Sequence, residues 1–226
     1  MYDLSKHHTL VFDCDGVVLN SNALKSRAFY ETVAPVYGRE VAKQFVDYHK
    51  THGGISRWVK FRYLLEHIVG EPASAKYIQQ LCEDYASRAR EGLMACSIAE
   101  NIIGLRDATA QSDWMMVSGG AQDELREIFE ARGIANLFNA GIFGSPATKS
   151  SILEREHERG LLRKPALMFG DSAGDFEAAQ GAGLDFIFVS GWSEMAPSAA
   201  TRFSGRAGFL GSVERLGLLV DGATNL

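Results

Sequence analysis

Two aspartates, Asp13 and Asp15, flank Cys14 and precede Gly16, directly after the apolar run Leu10-Val11-Phe12. A glycine behind the pair lets the chain bend, so both carboxylates can face one site. One of them, ionised, can attack or bind a cation; the other can hold a proton if its neighbours raise its pKa. Two further acids, Asp171 and Asp175, follow the run Ala166-Leu167-Met168-Phe169-Gly170. Together these carboxylates form an all-oxygen donor set suited to a hard cation such as Mg²⁺. Ser118, Gly119 and Gly120 follow Trp114-Met115-Met116-Val117, and at a helix N-terminus their hydroxyl and amides would cradle an anion. Lys149 adds a fixed positive charge.

Charge decides whether the cation is optional. A phosphate dianion beside ionised Asp13, Asp171 and Asp175, with Asp15 protonated and only Lys149 to oppose them, leaves about four net negative charges. Like charges about 4 Å apart repel by on the order of 4 kcal/mol per pair even at an effective dielectric near 20. A divalent cation halves the deficit.

These groups meet only if the elements beneath them do. Four short apolar runs, at 10–12, 114–117, 166–169 and 186–189, are continuous rather than alternating, as in strands covered on both faces. Helix-like stretches at 122–132, 150–159 and 175–180 separate the later runs, and a weaker strand is expected at 140–143. This rhythm gives an α/β fold: a Rossmann-like parallel sheet core with helices on both faces. In such a sheet ligands bind beyond the carboxyl ends of the strands, where every group named above falls.

Between the first two strands the apolar spacing becomes helical. Phe29, Val33, Val36 and Tyr37 form one stripe; Trp58, Phe61, Leu65 and Ile68 a second; Ile78, Leu81, Cys82, Tyr85 and Ala89 a third. We expect an inserted α-helical bundle over 21–95 and a core made of 1–20 and 96–226. The tail from 196 to 226 is Gly-rich, with a short helix expected near 212–218.

The 226 residues suit one domain with a large insertion or two modest domains, and 46% hydrophobic with 23% charged residues is ordinary for a globular chain. A net charge of −5 offers no general attraction to nucleic acid or an anionic membrane. Cys14, Cys82 and Cys96 are odd in number and scattered, which argues against a disulfide framework and fits a reducing compartment. With no apolar leader in the sequence, the expected location is cytoplasmic.

The four segments, in order, resemble the motifs of the haloacid dehalogenase superfamily. Asp13-Cys14-Asp15-Gly16-Val17 is similar to the first motif, Ser118 to the second, Lys149 to the third, and the segment from Gly170 to Asp175 to the fourth. The resemblance implies that Asp13 is the nucleophile of an aspartyl-phosphate and that Asp15 protonates the leaving alcohol, then activates water. It implies Mg²⁺ on Asp13, on the Asp15 carbonyl and on Asp171, with Asp175 as a ligand or just behind, and the phosphoryl group held by Ser118, Gly119, Gly120 and Lys149. Only the gap between Asp15 and Ser118 has room for an extra domain, as in the helical-cap branch that includes phosphoglycolate phosphatases and β-phosphoglucomutases.

Within that gap, Gly53-Gly54-Ile55-Ser56-Arg57 resembles the branch's specificity loop, which makes Gly54, Ser56 and Arg57 candidate substrate-binding residues. Arg57 is its one long charged fork. The expected activity is Mg²⁺-dependent hydrolysis of a small phosphorylated metabolite, such as a sugar phosphate or a phosphoglycolate-like compound, by a monomer or weak homodimer. A phosphomutase would use the same motifs; a phospho-accepting signalling module would carry its aspartate on a middle strand and no insertion. Cys14 reads as a small filler, and His49 and His52 read as surface histidines.

Overall fold

The computed structural model describes residues 2–195 and 201–221. Its sheet has six parallel strands: β1 (Thr9–Phe12), β2 (Asp113–Ala121), β3 (Ile142–Ser145), β4 (Ala166–Gly170), β5 (Asp185–Val189) and β6 (Phe209–Val213). They run in the order β3-β2-β1-β4-β5-β6, so β1 lies inside the sheet between β2 and β4. The continuous apolar runs follow from this position. Leu10, Phe12, Trp114, Met116, Leu167 and Phe169 feed one hydrophobic cluster, while Val11, Met115, Val117 and Met168 feed the other. Alternate residues point to opposite faces, and both faces are covered.

Four helices follow β1 and make up the insertion: α1 (Asn22–Tyr37), α2 (Arg39–Thr51), α3 (Arg57–Tyr63), which runs on into a π turn at Leu64–Val69, and α4 (Ala75–Ala95). α1 packs on α2 and α4, and α3 packs on α4. The three stripes anticipated three helices. α2 carried no visible stripe because only Ala42 and Phe45 of its thirteen residues are buried. Gly38, at φ 85°, divides it from α1. Val36, assigned to a buried stripe, is exposed.

The core helices are α5 (Ile102–Ala108), α6 (Gln122–Ala131), α7 (Lys149–Glu158) and α8 (Ala173–Gly181). α5 and α6 place Ile102, Leu105, Leu125 and Phe129 in the first cluster, and α7 and α8 place Ile152, Leu153, Phe176 and Ala179 in the second. The helix expected at 212–218 is absent. Ser212 and Val213 instead pair with Phe188 and Val189 as part of β6, because an open sheet edge outweighs a weak local preference; α9 is confined to Leu218–Asp221. The remainder of the tail, 196–200 and 222–226, lies outside the described residues. Among the described residues no helix is long and apolar enough to cross a membrane.

Candidate active site

Strand register brings the acids together. Phe12 pairs with both Met116 and Phe169, so Asp13, Ser118 and Asp171 all lie one or two residues beyond the same level of the sheet. The Asp13 amide donates to the Phe169 carbonyl at 2.9 Å, which carries the pairing one residue past the strand. Gly16, at φ 74°, then turns the chain. A Cβ there would stand 2.7 Å from the Asp171 carboxyl carbon, so only glycine lets the first motif pack against the fourth.

Lys149 lies at the centre. It opens α7, whose N-cap Thr148 accepts from the Ser151 amide at 3.2 Å. Its Nζ is 2.6 Å from Asp13 Oδ1 and pairs as closely with Asp175. Both partners hold the ammonium charged against the pull of burial. Asp175 is fixed from a second side by a capping box: its Oδ2 accepts from the Ser172 hydroxyl at 2.5 Å and the Ser172 amide at 3.1 Å.

Carboxylate oxygens of Asp13, Asp171 and Asp175 lie within 4.8 Å of one another, and all three residues are buried. Burial first, and Asp175 next, push the Asp13 carboxyl up to about 7. Burial, Asp13 and Asp175 push Asp171 well above the carboxylate range. Three buried acids around one ammonium are short of positive charge, and their oxygens match a hard divalent cation; the donor set fits Mg²⁺. Asp13 and Asp171 are the freer ligands, since Asp175 already accepts from Lys149 and Ser172.

Asp15 differs from the expectation of a protonated acid. Ser21 donates to its Oδ1 at 2.5 Å and Lys25 to its Oδ2 at 2.7 Å. Burial works against the charge, but Lys25 and these hydrogen bonds outweigh it and hold Asp15 below its ordinary value. The Cys14 thiol between the acids is fully buried, and burial with the flanking carboxylates pushes it far up; it is filler, as expected.

Ser118, Gly119 and Gly120 sit differently from the anticipated helix N-terminus. They belong to the end of β2, where the pairing with β3 shifts register, and α6 begins only at Gln122. The Gly120 amide turns inward to the Ser118 hydroxyl oxygen at 3.0 Å. That bond leaves the Ser118 O–H able to donate elsewhere.

The helical insertion is closed over this site. A Cβ on Gly119 would stand 2.6 Å from the Gly54 carbonyl, and one on Gly174 would stand 2.8 Å from the Gly53 carbonyl. Gly54 itself needs its φ of 80°. Arg57 is buried and ion-paired with Glu124 on core helix α6. Ser56 is the N-cap of α3, its hydroxyl accepting from the Val59 amide at 3.4 Å. The partly open cavity between them, about 80 Å³, is lined by Asp13, Asp15, Gly119, Gly120 and Asp171 from the core and by Lys25, His49, Gly54, Arg57 and Lys60 from the insertion.

His49 does not take the surface position expected of it. Only 12% of its side chain is exposed, and its Nδ1 lies 2.6 Å from Lys60 Nζ, because Phe45 on Phe61 and Tyr48 on Tyr63 hold α2 against α3. Burial and the nearby lysines lower it to about 2, so it is neutral. His52 is exposed and stacks on Tyr48, as expected of a surface histidine. Lys25, Asn22, Lys60, Glu124 and Glu194 join the site without having stood out in the sequence. Asn22 donates to Asp171 at 2.6 Å, and Glu194 accepts from Ser26 at 2.8 Å. The only sequence signal is for Asn22 and Lys25: polar residues opening the helix that follows the paired acids.

A family model described as haloacid dehalogenase-like hydrolase matches residues 10–189, most of the chain and all four motifs. The chain belongs to this family. No curated protein matches this hydrolase by sequence. Its fold is that of a haloacid dehalogenase-like family hydrolase from Streptococcus pneumoniae, with a TM-score of 0.69 at 16% identity, covering 97% of this chain and 99% of that one. It also resembles CbbY from Rhodobacter sphaeroides in complex with phosphate, with a TM-score of 0.66 at 22% identity over 94% and 96% of the two chains. A third likeness is to a predicted phosphoglycolate phosphatase from Haemophilus somnus, with a TM-score of 0.64 at 17% identity over 83% and 87%. At these identities the likeness establishes the fold.

Proposed function

We propose that this hydrolase is a Mg²⁺-dependent phosphomonoesterase for a small phosphorylated metabolite, working through an aspartyl-phosphate on Asp13, with residues 21–95 as a cap over the core. The observation that carries the reading is the convergence of Asp13, Asp171 and Asp175 at the carboxyl ends of parallel strands, with Lys149 paired to Asp13 and Asp175.

Mg²⁺, held by Asp13 and Asp171, would supply the positive charge that lets a carboxylate approach a phosphate dianion. Lys149 favours the ionised Asp13 carboxylate and aims it, itself braced by Asp175. An Asp13 oxygen attacks phosphorus, the bond from phosphorus to the alcohol oxygen breaks, and the leaving oxygen takes a proton from Asp15. Water then attacks phosphorus, gives its proton to Asp15, and the bond to Asp13 breaks to restore the carboxylate. The Ser118 hydroxyl and the Gly119 amide would donate to the phosphoryl oxygens.

Asp15 must enter the first half protonated, give that proton to the leaving oxygen, and enter the second half ionised to take one from water. Lys25 favours the charged, base form, while an arriving phosphate dianion raises Asp15 toward the acid form. Three free cysteines support an intracellular, reducing setting.

Phosphate release from a panel of phosphorylated metabolites and 4-nitrophenyl phosphate, with Mg²⁺ present, tests the proposal. We expect metal-dependent release that Asp13→Asn abolishes. Release from no member, by folded protein, would refute it.

A further inference from the structure

Four cationic side chains reach the cavity from the insertion, and three have carboxylate partners. Lys25 is paired with Asp15, Arg57 with Glu124, and Lys50 lies 3.7 Å from Glu194. Lys60 is only 3% exposed, yet among the described residues no carboxylate lies within ion-pair distance of it. Its Nζ meets His49 Nδ1 at 2.6 Å and stands 5.7 Å above the Phe29 ring. Burial, with Lys25 next, pushes it down to about 7.

The neighbouring nitrogens are unsatisfied as well. An ammonium can only donate, so its bond to neutral His49 Nδ1 leaves the ring proton on Nε2. His49 Nε2 is buried without a hydrogen-bond partner, the Glu194 carboxylate standing 3.9 Å off, and Arg57 Nη1 is likewise unpartnered. A buried cation with no counter-ion beside orphaned donors is expensive unless something arrives to meet it. The core groups account for one phosphoryl group; none of them explains these three nitrogens.

We propose that Lys60, oriented by His49 and with Arg57 Nη1 on the same cavity, forms a second oxyanion subsite, so that the substrate carries a carboxylate or second phosphate besides the phosphoryl group that is removed. The proposal rests on the phosphatase reading and narrows its substrate class. A hydroxyl would satisfy a donor but leave the charge of Lys60 unmatched, whereas an oxyanion answers both.

The test is calorimetric binding of three inert probes, with Mg²⁺ in excess: ethylphosphonate (one anion), phosphonoacetate (phosphonate and carboxylate) and methylenebisphosphonate (two phosphonates). Wild type should bind one of the two-anion probes at least tenfold more tightly than ethylphosphonate. Preference for phosphonoacetate names a carboxylate, and preference for methylenebisphosphonate names a phosphate. Lys60→Met should shrink the preference below threefold while ethylphosphonate affinity stays within twofold. Lys60→Gln, which keeps a donor without the charge, serves the same purpose if the Met variant misfolds.

Equal affinity for all three probes in wild type, binding of none, or equal losses for all probes in the variants would overturn the subsite. Hydrolysis of 4-nitrophenyl phosphate, which has a single oxyanion, is read separately. Its absence would count against the phosphatase reading, while the binding ratios would still decide whether Lys60 holds a second anion.

Discussion

Lys25 Nζ lies 2.7 Å from Asp15 Oδ2, so the first turn of the first inserted helix sets the charge of an acid at the end of the first strand. The two acids of the first motif thereby have different lysines: Asp13 has Lys149 and Asp15 has Lys25. Each lysine holds its partner in a different state of readiness, and the consequences can be measured.

Replacing Lys25 by Met removes the cation that favours ionised Asp15, so the Asp15 pKa rises. With 4-nitrophenyl phosphate the leaving group needs no acid, and Asp15 matters as the base that activates water. The acidic limb of the pH–rate profile should therefore move to higher pH by about one unit or more, as for loss of one nearby opposite charge. An unmoved limb would separate Lys25 from the proton-carrying role of Asp15.

Metal and pH should be linked in stability. Asp13, at about 7, and Asp171 hold protons in the metal-free folded state that they lose in the unfolded state near pH 4. A raised carboxyl pKa means the folded state binds more protons, so metal-free stability falls as pH rises from about 4 toward 7. Mg²⁺ competes with those protons. Its stabilising effect should grow across that window, by at most about 1.4 kcal/mol per pH unit for each proton displaced. Melting temperatures with Mg²⁺ and with EDTA at pH 5, 6, 7 and 8 check this; a pH-independent gap would contradict the buried acid triad as the metal site.

Arg57 reads from sequence as a free fork for substrate, but it bridges the insertion to core helix α6 through Glu124. Both Arg57→Ala and Glu124→Gln should lower kcat/KM, and the double variant should lose less than the sum. For a partly buried charge pair the coupling is about 1–3 kcal/mol. Additive losses would mean that Arg57 works on the substrate independently of Glu124.

The core is readable because each catalytic candidate follows a buried strand, and a strand covered on both faces announces itself as a continuous apolar run. Asp13, Ser118, Lys149, Asp171 and Asp175 are therefore placed by chain position alone. The insertion side is not readable, because its site residues come from helix faces that meet only after packing. His49 and Lys60 lie on separate helices, α2 and α3, yet are 2.6 Å apart, and α2 shows no apolar stripe to mark its buried side. The charge of Asp15 is hidden for the same reason: nothing local says that Lys25, ten residues on, folds back onto it.

The central claim is a covalent bond between Asp13 and phosphorus. Asp15→Asn, which lacks the base for the second half-reaction, should accumulate that intermediate with 4-nitrophenyl phosphate and Mg²⁺. Rapid acid quenching followed by borohydride reduction converts an acyl phosphate to an alcohol, so peptide mass spectrometry should find homoserine at position 13, dependent on substrate and on metal. Substrate turnover by wild type with Asp13 unreduced in the quenched variant, or reduction at another carboxylate, would contradict it.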